Sequence, residues 1–218
     1  MPDYDQIYQA QPGYFGAELA ALLERFAQRI PAGPVLDIGV GQGRNALPLA
    51  RLGHEVVGID PSSAAISATA EVARAEGLSV TLWQGSFEDF RPERPFAAVL
   101  AFGLLQELTP ERGRQLCRSI TLWTMPLGLV FLIAWHDGDP RVPHLRRECR
   151  QLGPGSFRLP SGEVRTYLPA NGILALFPEP AWQAIHHWEG LGPEHRHGDG
   201  PLERHGWIEL CAQKAPGS

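Results

Sequence analysis

The stretch Pro34–Ser63, PVLDIGVGQGRNALPLARLGHEVVGIDPSS, decides the fold. It begins with a short apolar run that ends in three alternating glycines, and a helical pattern of alanines and leucines follows. A second apolar run then ends in Asp60. This order predicts a strand, a tight glycine turn, a helix and a second strand, which together make one βαβ unit.

The glycine turn has the features of a ligand-binding loop. Glycine permits a positive φ and lets a ligand approach the backbone closely. The turn leads into a helix N-terminus, where free N–H groups point outward. Asp60, at the end of the second strand, is placed to accept hydrogen bonds from both ribose hydroxyls of a nucleoside.

The glycine spacing alone leaves a dinucleotide site open. Counted from Gly39, the dinucleotide pattern G-x-G-x-x-G requires glycine where the chain has Arg44, but counted from Gly41 it meets Ala46, a tolerated substitute. Asp37 lies two residues before the first glycine, where a carboxylate would repel a diphosphate but suit the ammonium group of an amino acid. The pattern D-x-G-x-G-x-G, with Asp60 23 residues after Asp37, resembles the S-adenosylmethionine site of class I methyltransferases. That resemblance favours S-adenosylmethionine over NAD and over a purely structural turn.

Composition bounds the class of protein. The chain has 218 residues, 44% of them hydrophobic, and a net charge of −5. That length predicts a single α/β domain over residues 1–218. Nucleic-acid binders usually carry a basic footprint, so the acidic balance disfavours DNA and RNA as partners and favours a small-molecule substrate. The oligomeric state stays open.

Three further features favour the cytoplasm. The cysteines are three in number, far apart and without a CxxC pair, which suits a reducing compartment. Residues 1–13 lack the apolar stretch of a signal peptide. The longest apolar run, 127–135, is too short to span a bilayer, so we expect no membrane segment.

The rest of the chain continues the alternation of strands and helices. Further strands are predicted at 80–84, 95–102, 127–135, 182–189 and 205–214, and helices at 16–30, 63–76, 110–123 and 171–177. The fold class is therefore α/β, with a doubly wound, mostly parallel, seven-stranded sheet and an antiparallel last strand. Arginines on one face of the 110–123 helix are expected to be solvated.

Two segments are candidates for covering a site. Residues 1–30 form an N-terminal arm and helix, and the aromatic residues of the arm either pack on the domain or close over the cofactor. Residues 137–168 interrupt the alternation and are rich in proline, glycine and arginine. Since long excursions are more often functional than idle, we expect a substrate cap whose arginines bind an anion or are simply solvated.

Five histidines cluster late in the chain: His186, His187, His195, His197 and His205. No carboxylate or cysteine completes a recognisable ligand spacing, so no metal site is predicted. A loop containing His195 would lie near the methyl-donor end of the sheet. There it could donate hydrogen bonds to an oxygen-rich acceptor or act as a general base, unless it is a surface hairpin.

Several motifs together resemble the tellurite-resistance branch of class I S-adenosylmethionine-dependent methyltransferases. They are LDIGVGQGRNALPLARLGHEVVGID, PGYFG near the start, NGILALF, and EHRHGDG before the last strand. The resemblance implies a seven-stranded sheet and methylation of a small molecule, with tellurium or selenium oxyanions as proposed acceptors. It also implicates the pair His195–Arg196. The long 137–168 excursion departs from the family pattern.

The predicted site follows from these arguments. Predicted cofactor contacts are Tyr14, Asp37, Gly39, Val40, Gly41, Gly43, Asn45, Asp60, Pro61, Ser86, Phe87 and Phe102. Predicted catalytic residues, which would steer an anionic acceptor, are Arg44, His195 and Arg196. Ser86 stands where many family members have aspartate, so Glu88, Asp89 or main-chain atoms are alternatives for binding the adenine amine. Rival hypotheses are a small-molecule O-, N- or S-methyltransferase with another substrate and a non-catalytic cofactor-binding protein.

Overall fold

The computed structural model describes residues 3–196, 200 and 202–217. Its α-helices are α1 (Tyr4–Ala10), α2 (Ala21–Phe26), α3 (Ala46–Arg51), α4 (Ser63–Glu76), α5 (Pro110–Trp123), α6 (Val142–Glu148) and α7 (Gly172–Leu176). Its strands are β1 (Val35–Ile38), β2 (Val56–Asp60), β3 (Val80–Gln84), β4 (Phe96–Phe102), β5 (Thr124–Trp135), β6 (Arg150–Gly153), β7 (Ser156–Arg158), β8 (Val164–Thr166), β9 (Trp182–Leu191) and β10 (Gly206–Lys214). Short 3₁₀ helices lie at Ala27–Arg29 and Leu105–Glu107.

The central sheet has seven strands in the order β3-β2-β1-β4-β5-β10-β9. The pairs from β3 to β5 are parallel, whereas β10 is antiparallel to both β5 and β9. This confirms the predicted α/β sheet with its antiparallel last strand. The strand order reverses between β1 and β4, and such a switch point opens a crevice for ligands at the carboxyl ends of the strands.

Burial and capping explain the principal elements. β4 reads FAAVLAF and is buried along nearly its whole length, as expected for a parallel strand covered on both faces. α4 begins where the Ser62 side chain accepts a hydrogen bond from the Ala65 N–H (3.1 Å), and it ends at Gly77 in the left-handed conformation. Both ends agree with the sequence, since serine is a favoured N-cap and glycine a favoured terminator.

The predicted helix at 16–30 is wrong in its length. The α-helix covers only Ala21–Phe26 and continues as a 3₁₀ turn over the next three residues. Ala20 is extended (φ −63°, ψ 136°), and its N–H donates to the side chain of Asn45 at 3.2 Å. This tertiary hydrogen bond outweighs the helical spacing of the leucines, because it fixes the chain in an extended conformation before the helix begins.

The fifth strand starts earlier than predicted, at Thr124. Thr124 pairs with Phe96, but the next matched pair is Leu129 with Ala98, so the intervening residues form a bulge in β5. Leu127 within it has a positive φ of 64°. The sequence pattern detected only the regular part of the strand beyond that bulge.

Residues 137–168 contain ordered structure of their own. After α6, the strands β6, β7 and β8 form a separate three-stranded antiparallel sheet. Its Phe157 is buried and packs in a small cluster with Trp135 and Tyr167. This sheet lies beside the carboxyl end of β5, and its role as a substrate cap stays a prediction. Within the part of the chain that the structure describes, no helix has the length and apolar character needed to cross a membrane.

Candidate active site

A cavity of about 770 Å³ lies at the carboxyl ends of the central strands, under the N-terminal helix α1. This volume lies within the range of about 300–1,000 Å³ that is usual for small-molecule and cofactor sites. All the predicted site residues line it except Asp37 and Gly43. The cavity therefore brings together Tyr14, Gly39, Val40, Gly41, Arg44, Asn45, Asp60, Pro61, Ser86, Phe87, Phe102, His195 and Arg196.

The glycine loop is held by main-chain hydrogen bonds to the neighbouring strand. The N–H groups of Gly39 and Val40 both donate to the carbonyl oxygen of Ile59, at 2.8 and 3.1 Å. Gly41 has a φ of +52°, and an added Cβ there would lie 3.1 Å from the hydroxyl of Tyr8. The loop therefore turns tightly and presents bare backbone to the cavity, as the glycine pattern predicts.

Asp60 is buried at the end of β2 with both carboxylate oxygens engaged by main-chain N–H groups. One oxygen accepts from Gly41 and the other from Ser62, each at 2.9 Å. Burial raises the pKa of this carboxyl above its usual range, and the two hydrogen bonds oppose the shift. Each carboxylate oxygen can accept a second hydrogen bond, so Asp60 keeps capacity for two ligand hydroxyls.

Asp37 lies below the glycine loop, only 2% exposed and outside the cavity lining. Burial and, to a lesser degree, the nearby charge of Asp60 raise its pKa from 3.8 to about 8. A hydrogen bond from the Ala46 N–H partly opposes the shift. A cation bound close by would lower this pKa, because it stabilises the charged form.

Gly43 has a packing function in this structure. It has a φ of +80°, and an added Cβ would lie 2.7 Å from the Leu47 side chain and 3.0 Å from that of Thr69. The missing side chain lets α3 and α4 approach the loop closely. The contact between Gly43 and a cofactor stays a prediction, and only the backbone of Gly43 could make it.

The loop after β3 forms another wall of the cavity. The Ser86 hydroxyl donates to the carboxylate of Glu88, which also accepts from the Arg112 guanidinium at 2.7 Å. Phe87 is buried in the core. Arg112 itself lines the cavity, so the expectation that this face of α5 is merely solvated is wrong for that residue.

The N-terminal arm is docked over the glycine loop by two polar side chains. Asp5 accepts hydrogen bonds from the Ser62 hydroxyl (2.8 Å) and the Ala64 N–H (2.9 Å) at the start of α4. Gln42, within the glycine loop, donates to the carbonyl of Tyr8 (3.2 Å) and accepts from the N–H of Tyr14 (3.0 Å). The arm therefore packs on the domain and covers the cavity at the same time.

The three predicted catalytic residues line the cavity at different depths. Arg44 and Arg196 are both exposed, and they donate to the carbonyls of Glu18 (3.0 Å) and Gly200 (3.1 Å). His195 is half-buried, and its main chain pairs with Glu203. The two cations therefore lie at the rim. His197 lies outside the described residues.

Sequence reasoning missed a buried ion pair between the loop after β4 and the cap. Arg165 of β8 contacts the carboxylate of Glu107 at 2.8 Å and that of Glu163 at 3.0 Å. Burial raises the pKa of Glu107, although the charge of Arg165 opposes the shift. Tyr4 also hydrogen-bonds to Glu107, so the N-terminal helix, the loop after β4 and strand β8 meet at this carboxylate. In the sequence, the only indication that Glu107 lies at the site is its position shortly after the predicted end of a strand.

A row of rings forms the opposite side of the cavity and was also missed as a unit. The ring centroid of Trp135 lies 5.2 Å from that of His205, His205 lies 5.0 Å from His195, and His195 lies 5.9 Å from Trp207. All four residues, hereafter the ring wall, line the cavity. They come from three separate segments, and no local pattern joins them.

Asp139 and Arg141 hold the ring wall in place. The carboxylate of Asp139 lies 3.4 Å from the His205 ring and 3.1 Å from the Arg141 guanidinium, which in turn stacks 4.4 Å from the centre of Trp135. Burial alone would raise the pKa of Asp139, but hydrogen bonds from His205 and Arg141 hold it at about 2. The cap arginines that reach the cavity, Arg141 and Arg165, are thus both paired with carboxylates.

Among the described residues, no group of three or more histidine, cysteine, aspartate or glutamate side chains is arranged to hold a metal ion. The nearest approach to such a group is His205, which lies between Asp139 and Glu203 at 3.4 and 3.1 Å.

Comparison with known proteins places these features in context. Residues 35–128 match the family described as "Methyltransferase domain". A ubiquinone biosynthesis O-methyltransferase from Bradyrhizobium sp. (strain ORS 278) is 36% identical over 75 residues, which cover 34% of this chain and 30% of that protein. The match therefore spans under a third of the relative's length.

Two solved structures share the fold over almost the whole chain. TehB from Haemophilus influenzae superposes with a TM-score of 0.72 and 19% identity, covering 97% of this chain and 67% of TehB. The 1,6-didemethyltoxoflavin-N1-methyltransferase from Burkholderia thailandensis, with bound S-adenosylhomocysteine, gives a TM-score of 0.67 and 18% identity, with coverages of 96% and 81%. The fold is thus the Rossmann-like fold of class I methyltransferases.

Proposed function

We propose that this protein is an S-adenosylmethionine-dependent methyltransferase that acts on a small organic molecule. The observation that carries the proposal is the meeting of the glycine loop and the buried Asp60 at the carboxyl edge of the sheet, in one cavity with the ends of β4 and β5. The matched methyltransferase domain and the fold shared with a structure that holds S-adenosylhomocysteine support it.

The cofactor would lie along the glycine loop. Asp60 would bind the ribose hydroxyls, and the loop after β3, with Ser86 and Phe87, would enclose the adenine. The buried Asp37 would supply negative charge for the ammonium group. A sulfonium nucleoside carries positive charge at both its sulfur and its amine, so two acids with raised pKa values fit it better than they fit an anionic dinucleotide.

Bound S-adenosylmethionine would supply an electrophilic methyl group on a positively charged sulfur. An acceptor lone pair would take that methyl group, sulfur would keep the electron pair of the broken carbon–sulfur bond, and the acceptor's proton would leave to solvent. The chain contributes mainly alignment, since holding two reactants in line is worth several orders of magnitude in rate. The docked N-terminal arm would exclude water from the site.

The charge of the cavity favours an organic acceptor over an oxyanion. Inside the cavity Arg141 and Arg165 are paired with carboxylates, and Arg112 is paired with Glu88. An oxyanion would have to displace one of these acids. The matched relative's name, a ubiquinone biosynthesis O-methyltransferase, agrees with an organic acceptor.

A tellurium or selenium oxyanion is the second candidate. The exposed cations Arg44 and Arg196 at the rim favour it, as does the fold shared with TehB. Binding there would need no buried acid to move.

The test is a turnover screen that scores release of S-adenosylhomocysteine with phenols, thiols, tellurite and selenite as acceptors, and with Asp60→Ala as the control for cofactor-dependent signal. We expect release with an organic acceptor and none from the variant. Release with tellurite or selenite alone would establish the second candidate. Cofactor binding without release for any acceptor would leave a non-catalytic binding protein.

A further inference from the structure

We propose that the space between Gln106 and the ring wall is the acceptor subsite, and that it takes an uncharged, planar aromatic molecule that donates an O–H or N–H hydrogen bond to Gln106. The inference rests on the proposed function and names the substrate class of that same cavity. It has three independent supports: an unsatisfied amide oxygen, a cluster of aromatic rings and neutralised charge.

Gln106 is the polar group that a ligand would satisfy. It follows β4 in the short 3₁₀ helix, is only 8% exposed and lines the cavity. Within the described part of the chain, its side-chain carbonyl oxygen is buried without a hydrogen-bond partner. Leaving a buried acceptor unsatisfied costs about 1–3 kcal/mol, a cost that a bound O–H or N–H donor removes.

The ring wall supplies aromatic contacts at this side of the cavity. Its neighbouring rings have centroids 5.0 to 5.9 Å apart; one pair is tilted by 39° and the other two meet edge to face at 68° and 69°. Asp139 and Arg141 fix Trp135 and His205 in orientation through the contacts described above. A preformed aromatic surface of this kind favours aromatic ligands, since a well-placed ring pair contributes about 0.5–1.5 kcal/mol beyond burial.

The electrostatics of this half of the cavity exclude a strongly charged acceptor. Arg165 and Glu107 neutralise one another beside Gln106, and Arg141 is neutralised by Asp139 beneath the ring wall. Glu203 also lines the cavity close to His205. An anion would meet paired arginines and an additional acid, and a cation would meet paired carboxylates, so a neutral ligand has the lowest desolvation cost.

The test measures binding of catechol and aniline, with cyclohexanol and tellurite for comparison, to the full chain saturated with S-adenosylhomocysteine. For wild-type protein, we expect the aromatic compounds to bind and cyclohexanol and tellurite to bind at least tenfold more weakly. Gln106→Leu should lower the affinity for the aromatic compounds about tenfold and leave the affinity for S-adenosylhomocysteine unchanged. Gln183→Leu, at an exposed glutamine of β9, is the matched control and should change neither.

Folding of the variant is checked by its thermal midpoint. Because Gln106→Leu removes a buried amide oxygen that has no hydrogen-bond partner, we expect the thermal midpoint of the unliganded variant to be at least as high as that of wild type. Trp135→Leu is the second variant. It should weaken the binding of catechol by a similar factor, because it removes one ring of the ring wall. Equal binding of catechol to wild type and Gln106→Leu, or binding of tellurite in preference to both aromatic compounds, would overturn this proposal. If S-adenosylhomocysteine itself fails to bind, the proposed function fails instead.

Discussion

The two halves of the cavity differ in how the chain builds them. The cofactor half consists of the glycine loop and Asp60, residues that lie within one βαβ unit. The acceptor half joins Gln106, Trp135, Arg165 and His205, which come from four distant segments. A site within a single supersecondary unit can be recognised from local spacing, whereas a site assembled by the sheet order can be recognised only after folding.

The halves also differ in charge. Among the described residues, no arginine, lysine or histidine forms an ion pair with Asp37 or Asp60, and burial raises both pKa values. In the acceptor half, Asp139 and Glu107 are each paired with an arginine. Buried carboxyl groups without a cationic partner can ionise when a cationic ligand binds, whereas paired charges suit a neutral ligand. The predictions below test this difference, from the largest expected effect to the smallest.

Gly41→Ala should damage the cofactor half most. The added Cβ would lie against the Tyr8 hydroxyl and on the surface that the backbone presents to the ligand. We expect the affinity for S-adenosylmethionine to fall about 100-fold, or about 2.7 kcal/mol, in calorimetry. Gly53→Ala is the control, because Gly53 also has a positive φ (+93°) but open space around it. If both variants bind equally well, the loop backbone does not contact the ligand.

Arg165→Gln should damage the acceptor half while sparing the cofactor half. It leaves the buried Glu107 without its charged hydrogen-bond donor, at a cost of about 2 kcal/mol of stability. We expect faster hydrogen exchange in β6–β8 and unchanged affinity for S-adenosylmethionine. The double variant with Glu107→Gln should recover part of the loss. Uniform destabilisation of the central sheet would show that the cap is not a separate unit.

Asp37→Asn should remove a pH dependence from the cofactor half. Because the pKa of Asp37 is raised to about 8, the unliganded wild type loses stability as the pH rises from the ordinary carboxyl pKa of 3.8 through that value. A cationic ligand needs the ionised form, so affinity for S-adenosylmethionine should rise roughly tenfold between pH 6 and 8 and then level off.

The asparagine variant should bind about tenfold more weakly than wild type at pH 8 and show no such slope. Unliganded, it should also melt at a higher temperature than wild type at pH 8, because the cost of the buried carboxyl is gone. Calorimetry and thermal melts over the pH series measure both effects. A wild-type affinity that is flat across this range would contradict the assigned contact with Asp37.

Asp5→Ala should have the smallest effect, since it loosens only the arm above the cofactor half. It removes the hydrogen bonds that fix α1 to the start of α4. We expect faster proteolysis before residue 16 and an affinity about threefold lower, because a smaller fraction of molecules is closed. Asp3→Ala, at the N-cap of α1 and away from α4, is the comparison variant. Equal rates of proteolysis in the two variants would show that the hydrogen bonds of Asp5 do not hold the N-terminal arm in place.

The features that could be predicted from the sequence are local ones, and those that could not are contacts between distant segments. The alternation of strands and helices, the antiparallel last strand and the bounds of α4 follow from local spacing and were confirmed. The glycine loop and Asp60 stay predictions as cofactor contacts. The early part of the predicted 16–30 helix was wrong because Asn45 binds the Ala20 N–H, a contact that no local pattern encodes. The ion pair between Arg165 and Glu107 was not predicted either, because the two residues are 58 positions apart in the sequence.

The most direct measurement is calorimetric titration of S-adenosylmethionine into wild type and Asp60→Ala at pH 8. With Asp60 holding the ribose and the cofactor half carrying uncompensated negative charge, wild type should bind one molecule per chain and the variant at least tenfold more weakly. Absence of binding to wild type, or equal binding by both proteins, would contradict the assignment of this cavity to the cofactor.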